Sequence, residues 1–211
     1  LRGIEPAVRE RVNARLGRGK VECNLRYRVA AAQTPELKIN ERMVEQILAD
    51  LGTVDVVLNN AAITGELLMG AGKAFPDFAN TSVEDWEKTL RTNMTGAFMI
   101  ARQMDRDIVG RYPATLINVA SMYALNGPHH QIYEGMPFKN FSAYGVTKAG
   151  IHGLTVWLAG YWANRQATVN TIAPGAVFNG HSEEFQRRVS DLIMADRMGQ
   201  PDEIADVMLF L

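Results

Sequence analysis

The sequence has little of several things, and each scarcity narrows what the protein can be. A single cysteine, Cys23, cannot close an internal disulfide, which excludes a small scaffold stapled by bridges. No apolar run approaches the ~18 residues of a membrane-spanning helix, and the opening Leu1-Arg2-Gly3-Ile4-Glu5 carries no apolar core of a secretion signal. A reducing cytoplasm is therefore the expected setting. Charge of one sign is missing too: the net charge is -1, which gives no broad attraction for nucleic acid or an anionic membrane surface. A small-molecule partner fits that balance. There is no internal repeat and no low-complexity segment. His129-His130 and His181 have no neighbouring carboxylate or thiolate to complete a coordination set, so no metal is expected. His152 reads as a helix residue.

What is present is apolar patterning. With 211 residues, 47% of them hydrophobic, the chain can bury a substantial core, and residues 1–211 are expected to form one domain. Residues 5–16 have a helical pattern and residues 21–27 a weaker strand pattern. Met43, Val44, Ile47, Leu48 and Leu51 then follow helical spacing after Thr34-Pro35, and Gly52 ends the run. A short β-branched segment, residues 54–58, predicts a buried strand. Thr81-Ser82-Val83-Glu84 resembles a capping box opening a helix to about Val109. Residues 115–119 predict a strand, 144–162 a helix, 167–172 a strand, and 201–211 a helix. Strands alternating with helices of this length imply parallel pairing, right-handed crossovers and a doubly wound α/β sheet covered on both faces.

In such a sheet the ligand crevice lies at the carboxyl ends of the strands. Asn59-Asn60-Ala61-Ala62, Ser121 and Pro174-Gly175 each follow a predicted strand, so they can converge on one site. Tyr144 and Lys148, four residues apart on a predicted helix, share one face. A free tyrosine loses its proton only near pH ~10, and a nearby cation favours the phenolate by roughly 1 to 3 units, which would make the phenol usable as an acid and base near neutrality. Ala or Leu would suit an ordinary helix better than Asn93 and Gly96 in Arg91-Thr92-Asn93-Met94-Thr95-Gly96. The plain alternatives are an amphipathic helix with an exposed lysine, post-strand turns, and a helix polar residue. The order in which all these features occur favours a site over each of them singly.

That order resembles the short-chain dehydrogenase/reductase family across nearly the whole chain, most closely over residues 54–63, 86–103 and 144–175. The stretches Ile132-Tyr133-Glu134-Gly135 and Val177-Phe178-Asn179-Gly180 also resemble a bacterial subgroup linked to surface-sugar biosynthesis. The family resemblance implies a Rossmann-type three-layer α/β/α fold with NAD or NADP as cofactor. It implies that Tyr144 exchanges a proton with the substrate oxygen, that Lys148 holds the phenolate and the nicotinamide ribose, and that Ser121 polarises the carbonyl. Asn93 would position a water linking the lysine to solvent. Asn59 and Ala61 would line the adenine side of the cofactor and tie neighbouring strands together, while Pro174, Gly175 and Val177 would approach the nicotinamide. Residues 178–194 correspond to a mobile substrate cover. The family's two long helices, here near 86–109 and 144–162, pack against symmetry mates, so a homo-oligomer, dimer or tetramer, is implied. Phe98, Trp157, Tyr161 and Trp162 suit either that contact or the core.

Several features depart from the family. Ala62 stands where a glycine is usual. Ser121 and Tyr144 are 23 positions apart, a longer separation than is common, and the excess, residues 125–135, is expected to loop over the substrate mouth. The first strand, its glycine-rich phosphate turn and the second strand are not found: Gly17-Arg18-Gly19 lacks the third glycine and follows a helix pattern, and residues 65–73 lack the Gly-Lys-Ser/Thr signature and read as a surface loop. The sequence also stops within a helix, so it is expected to be incomplete at both ends. The implied activity interconverts an alcohol and a carbonyl on a small polar or sugar-like substrate. A 3-oxoacyl thioester reductase is the competing enzyme, and a catalytically silent nucleotide-sensing or scaffold protein the competing class.

Overall fold

A computed structural model describes residues 40–65, 68 and 76–211. The expected helix over 5–16, the strand over 21–27, the Gly17-Arg18-Gly19 turn, Cys23, the Thr34-Pro35 helix start and nearly all of 66–75 lie outside these residues.

The sheet is parallel, as the helix and strand alternation requires. β1 (Val56–Asn59), β2 (Ala114–Val119) and β3 (Ala167–Ile172) run in the order β1-β2-β3, with Val56 opposite Thr115 and Ala114 opposite Ala167. Each crossover carries helices: α1 (Glu41–Leu51) precedes β1, α2 (Val83–Leu90) and α3 (Gly96–Asp107) join β1 to β2, and α4 (Ser142–Tyr161) joins β2 to β3. Beyond β3 come α5 (Glu183–Ser190) and α6 (Pro201–Phe210).

Alternation along β2 sends successive side chains to opposite faces. Ala114 and Leu116 pack with Ala101 and Met104 of α3 and with Leu158 and Trp162 at the end of α4. Ile117 and Val119 pack with Ile172 of β3 and Met208 of α6. Two helical layers thus enclose the sheet, in a Rossmann-type three-layer α/β/α arrangement. Burying each such side chain contributes roughly 1.5 to 3 kcal/mol, which fixes the register because a slip by one residue would turn both faces inside out.

Local chemistry shifts several boundaries. Asn40 caps α1, its side chain accepting the Met43 N–H at 3.1 Å, and Gly52 at φ 78° closes it. Ser82, not Thr81, caps α2 by accepting from the Asp85 N–H, because the Thr81 hydroxyl donates to the Asp77 carbonyl and closes the preceding turn. The long helix expected over 82–109 is interrupted by a π turn, Arg91–Thr95. Gly150 of α4 leaves room for the Met94 side chain of the π turn, which an added Cβ would displace.

Candidate active site

Parallel strands bring their carboxyl ends to one edge, and backbone bonds knit those ends together. The Ala120 N–H donates to the Ile172 carbonyl at 2.8 Å and the Met122 N–H to the Pro174 carbonyl at 2.9 Å, so Ser121 and Pro174 are held side by side. The first turn of α4 delivers Tyr144, and Lys148 follows one turn later on the same face.

A cleft of about 250 Å3 opens there. Ser121, Tyr144, Pro174, Gly175 and Val177, five of the predicted site residues, line it. Ser121 is close enough to Tyr144 for its hydroxyl to pull the phenol's pKa down, and its oxygen accepts the Tyr123 N–H at 3.2 Å. Lys148 is buried beneath the cleft, donating to the Val119 carbonyl at 2.7 Å with its Nζ 5.6 Å from the centre of the Tyr144 ring.

The electrostatics differ from the sequence expectation in one respect. Burial pushes the Tyr144 phenol above its ordinary value, the Ser121 hydroxyl pulls it down, and Tyr123 pushes it up further. Burial also lowers the Lys148 ammonium to about 8. The cation does not dominate the phenol because Nζ is turned to a backbone carbonyl and both groups have lost water. The result is a phenol that keeps its proton at neutral pH, poised as a donor.

Asn93, in the π turn, is buried. Its Oδ1 accepts the Ile63 N–H at 2.6 Å, and its Nδ2 donates to the Ile63 carbonyl at 3.0 Å and to Thr147 Oγ1 at 3.2 Å. The amide therefore clamps the loop after β1 to α4. Asn59 and Ala61 line a separate crevice of about 20 Å3 beside the π turn and α3. Asn59 Nδ2 donates to Asn118 Oδ1, and Asn118 Nδ2 to Thr155 Oγ1 of α4, which ties two strands and a helix together through side chains. The buried Asn60 Oδ1 at that crevice meets no protein donor among the described residues.

Sequence reasoning missed Asn118, Thr147, Tyr123, Tyr133 and Asn140. A polar residue inside the apolar strand 114–119 was the signal for Asn118; the other four carry none that spacing reveals. Residues 125–135 do more than overhang the mouth: Ile132 and Tyr133 are buried against Phe185 and Val189 of α5, and Tyr133 lines the cleft. Gly65, expected in a surface loop, is buried in the cleft wall. His181 packs its ring near Phe138, Phe178 and Phe185 while Nδ1 accepts from the Asn179 N–H. Among the described residues no group of three or more His, Cys, Asp or Glu is placed to hold a metal, and no helix is long and apolar enough to cross a membrane.

Comparison with known proteins gives one family match and many relatives. A family described as enoyl-(acyl carrier protein) reductase matches residues 36–211. A 3-oxoacyl-(acyl-carrier-protein) reductase of Aquifex aeolicus is 31% identical over 171 residues, covering 79% of this chain and 61% of the relative. Nodulation protein G of Azospirillum brasilense is 28% identical over 190 residues, covering 88% and 70%. An acetoacetyl-CoA reductase of Cupriavidus necator is 29% identical over 171 residues, covering 79% and 62%. The chain thus spans less than two thirds of the length of the two reductases.

Proposed function

The chain belongs to the short-chain dehydrogenase/reductase family, and we propose that it is an NAD(P)-dependent oxidoreductase that reduces the ketone of a 3-oxoacyl thioester. The observation that carries this reading is Ser121 and Tyr144 lining one cleft that is also bounded by Pro174, Gly175 and Val177. A nicotinamide cofactor fits the residues present. Open space faces Gly175, where an added Cβ would meet nothing within 4 Å. Asn59, Ala61, Pro174, Gly175 and Val177 would hold that group, with Tyr144 and Lys148 at its reactive end. When bound, it supplies the hydride.

Ser121 and Tyr144 both donate to the ketone oxygen, and donors fixed where negative charge develops lower the barrier. As the alkoxide forms, Tyr144 gives up its proton. A pKa raised by burial keeps the phenol charged with that proton, which favours reduction. Lys148, beneath the ring, opposes the negative charge that remains. Since the Asn93 amide is occupied by Ile63 and Thr147, any water it positions would be met by its main chain.

The thioester reading is favoured over a sugar-like substrate by the relatives' activities and by the apolar part of the cleft lining. Ile132, Phe138, Phe185 and Met198 belong to it, and polyol hydroxyls set against these side chains would be unpaired. A silent scaffold would need neither the buried Ser121 and Lys148 nor the half-buried Tyr144, and desolvating the lysine is unfavourable without use. The same reading makes the chain one catalytic and cofactor-binding domain, and the exposed Phe98, Trp157 and Tyr161 support a homo-oligomer.

Oxidation of NADPH and NADH by acetoacetyl-CoA tests the proposal. Tyr144→Phe should lower kcat by about 100-fold or more while the dissociation constant of the cofactor, followed by fluorescence, changes by only a few fold. Unchanged turnover in that variant overturns the assignment.

A further inference from the structure

Three polar side chains in the cleft take no part in the chemistry described so far. Tyr123 and Tyr133, from the turns Met122–Ala124 and His130–Tyr133, place their hydroxyl oxygens 2.7 Å apart, and both line the cleft beside Asn140. Tyr133 is buried, with its ring near Phe138 and Phe185 at 6.1 and 5.7 Å between centres. Its turn is fixed from outside by Arg188, which donates to the Glu134 carbonyl at 2.6 Å and the Ile132 carbonyl at 3.4 Å. A buried hydroxyl held this firmly is a directed one.

Position decides which of the two phenols can offer a proton to the cleft. Tyr133 is buried, whereas Tyr123 is half-buried and stands two residues from Ser121 on the cleft lining that also holds Tyr144 and Asn140. Each phenol has one proton, and a Tyr133 hydroxyl that donates to the Tyr123 oxygen leaves the Tyr123 proton for a group in the cleft. Burial raises the Tyr133 pKa most, Tyr123 raises it further, and Asn140 lowers it, which keeps that buried hydroxyl protonated.

We infer that Tyr123 is a specificity-determining residue that donates a hydrogen bond to a second substrate oxygen, with Tyr133 and Asn140 as the positioning residues that aim it. The inference rests on the thioester reading above and deepens it: a 3-oxoacyl thioester carries a second carbonyl one carbon removed from the ketone that Ser121 and Tyr144 hold. The site then selects 1,3-related oxygens, and a simple ketone leaves the Tyr123 hydroxyl without its acceptor.

The test compares acetoacetyl-CoA with 2-butanone, which has no second oxygen, in wild type, Tyr123→Phe, Tyr133→Phe and Asn140→Ala. The expected result is that Tyr123→Phe lowers the ratio of kcat/KM values, thioester over ketone, at least about tenfold, mainly through KM. Tyr133→Phe and Asn140→Ala should move the same ratio in the same direction by less. A purely structural role would depress both substrates together and leave the ratio in place, and that outcome overturns the inference. Equilibrium titration with acetoacetyl-CoA adds a readout free of turnover, with weaker binding by Tyr123→Phe expected and equal binding contradicting it. A wild-type protein that reduces 2-butanone but not acetoacetyl-CoA overturns the thioester reading itself, whereas an active wild type with an unchanged ratio in Tyr123→Phe overturns only the inference.

Discussion

At the scale of the residue, Lys148 shows how a buried charge burdens the fold that holds it. Its ammonium is buried against one backbone carbonyl, which lowers its pKa from 10.5 to about 8. Below pH 8 both folded and unfolded chains carry the charge, and the folded state bears the full desolvation penalty. Between pH 8 and 10.5 the unfolded chain binds the proton more strongly than the native one, so stability rises with pH in that window. Denaturant midpoints at pH 7.5 and 9.5 should therefore rise in the wild type relative to Lys148→Met, which has nothing to titrate there. Parallel behaviour of the two proteins would show that the ammonium is not desolvated. The same variant should lose most turnover, so the residue opposes stability where it serves the reaction.

At the scale of the element, the π turn Arg91–Thr95 is where a helix gives up its regular ladder. π turns are rare and appear mostly where function requires a displaced side chain. Here the displaced residue is Asn93, whose amide makes three hydrogen bonds to Ile63 and Thr147. Asn93→Ala leaves buried partners unsatisfied and should destabilise the protein by about 2 to 4 kcal/mol, measured by urea unfolding; a change under 0.5 kcal/mol would mean that the clamp contributes little. The interruption was not readable as a break, because Arg91 to Thr95 is compatible with an α-helix by local preference. What the letters did carry was the oddity of asparagine in that place. The expected caps fared similarly: the existence of α1 and α2 follows from apolar spacing, whereas the capping residue depends on which hydroxyl is already engaged, as Thr81 is with Asp77.

At the scale of the whole molecule, the aromatic residues near the end of α4 divide in a way that sequence could not settle. Trp162 is fully buried, its indole donating to Asp105, which also pairs with Arg165. Trp157 and Tyr161 stack on each other with 62% and 50% of their surface exposed. If they form the contact between copies of the chain, sedimentation velocity should show a dimer or tetramer that Trp157→Glu converts to a smaller species. A monomeric wild type would remove that role. The lid-like segment behaves as part of a wall, since Phe185 and Val189 of α5 share a cluster with Ile132 and Tyr133, and this joins two stretches of sequence more than fifty residues apart.

The alternation of helices and strands, hence the parallel sheet, and the places of Asn59, Ser121 and Pro174 directly after its strands are legible in the sequence, because periodicity and chain order are local properties. Only the closed tertiary structure turns Lys148 to the Val119 carbonyl, raises the Tyr144 phenol by burial and brings the Tyr123 and Tyr133 hydroxyls within 2.7 Å of each other. Those outcomes depend on solvent exclusion and on partners distant in the chain, and both arise only when the layers close.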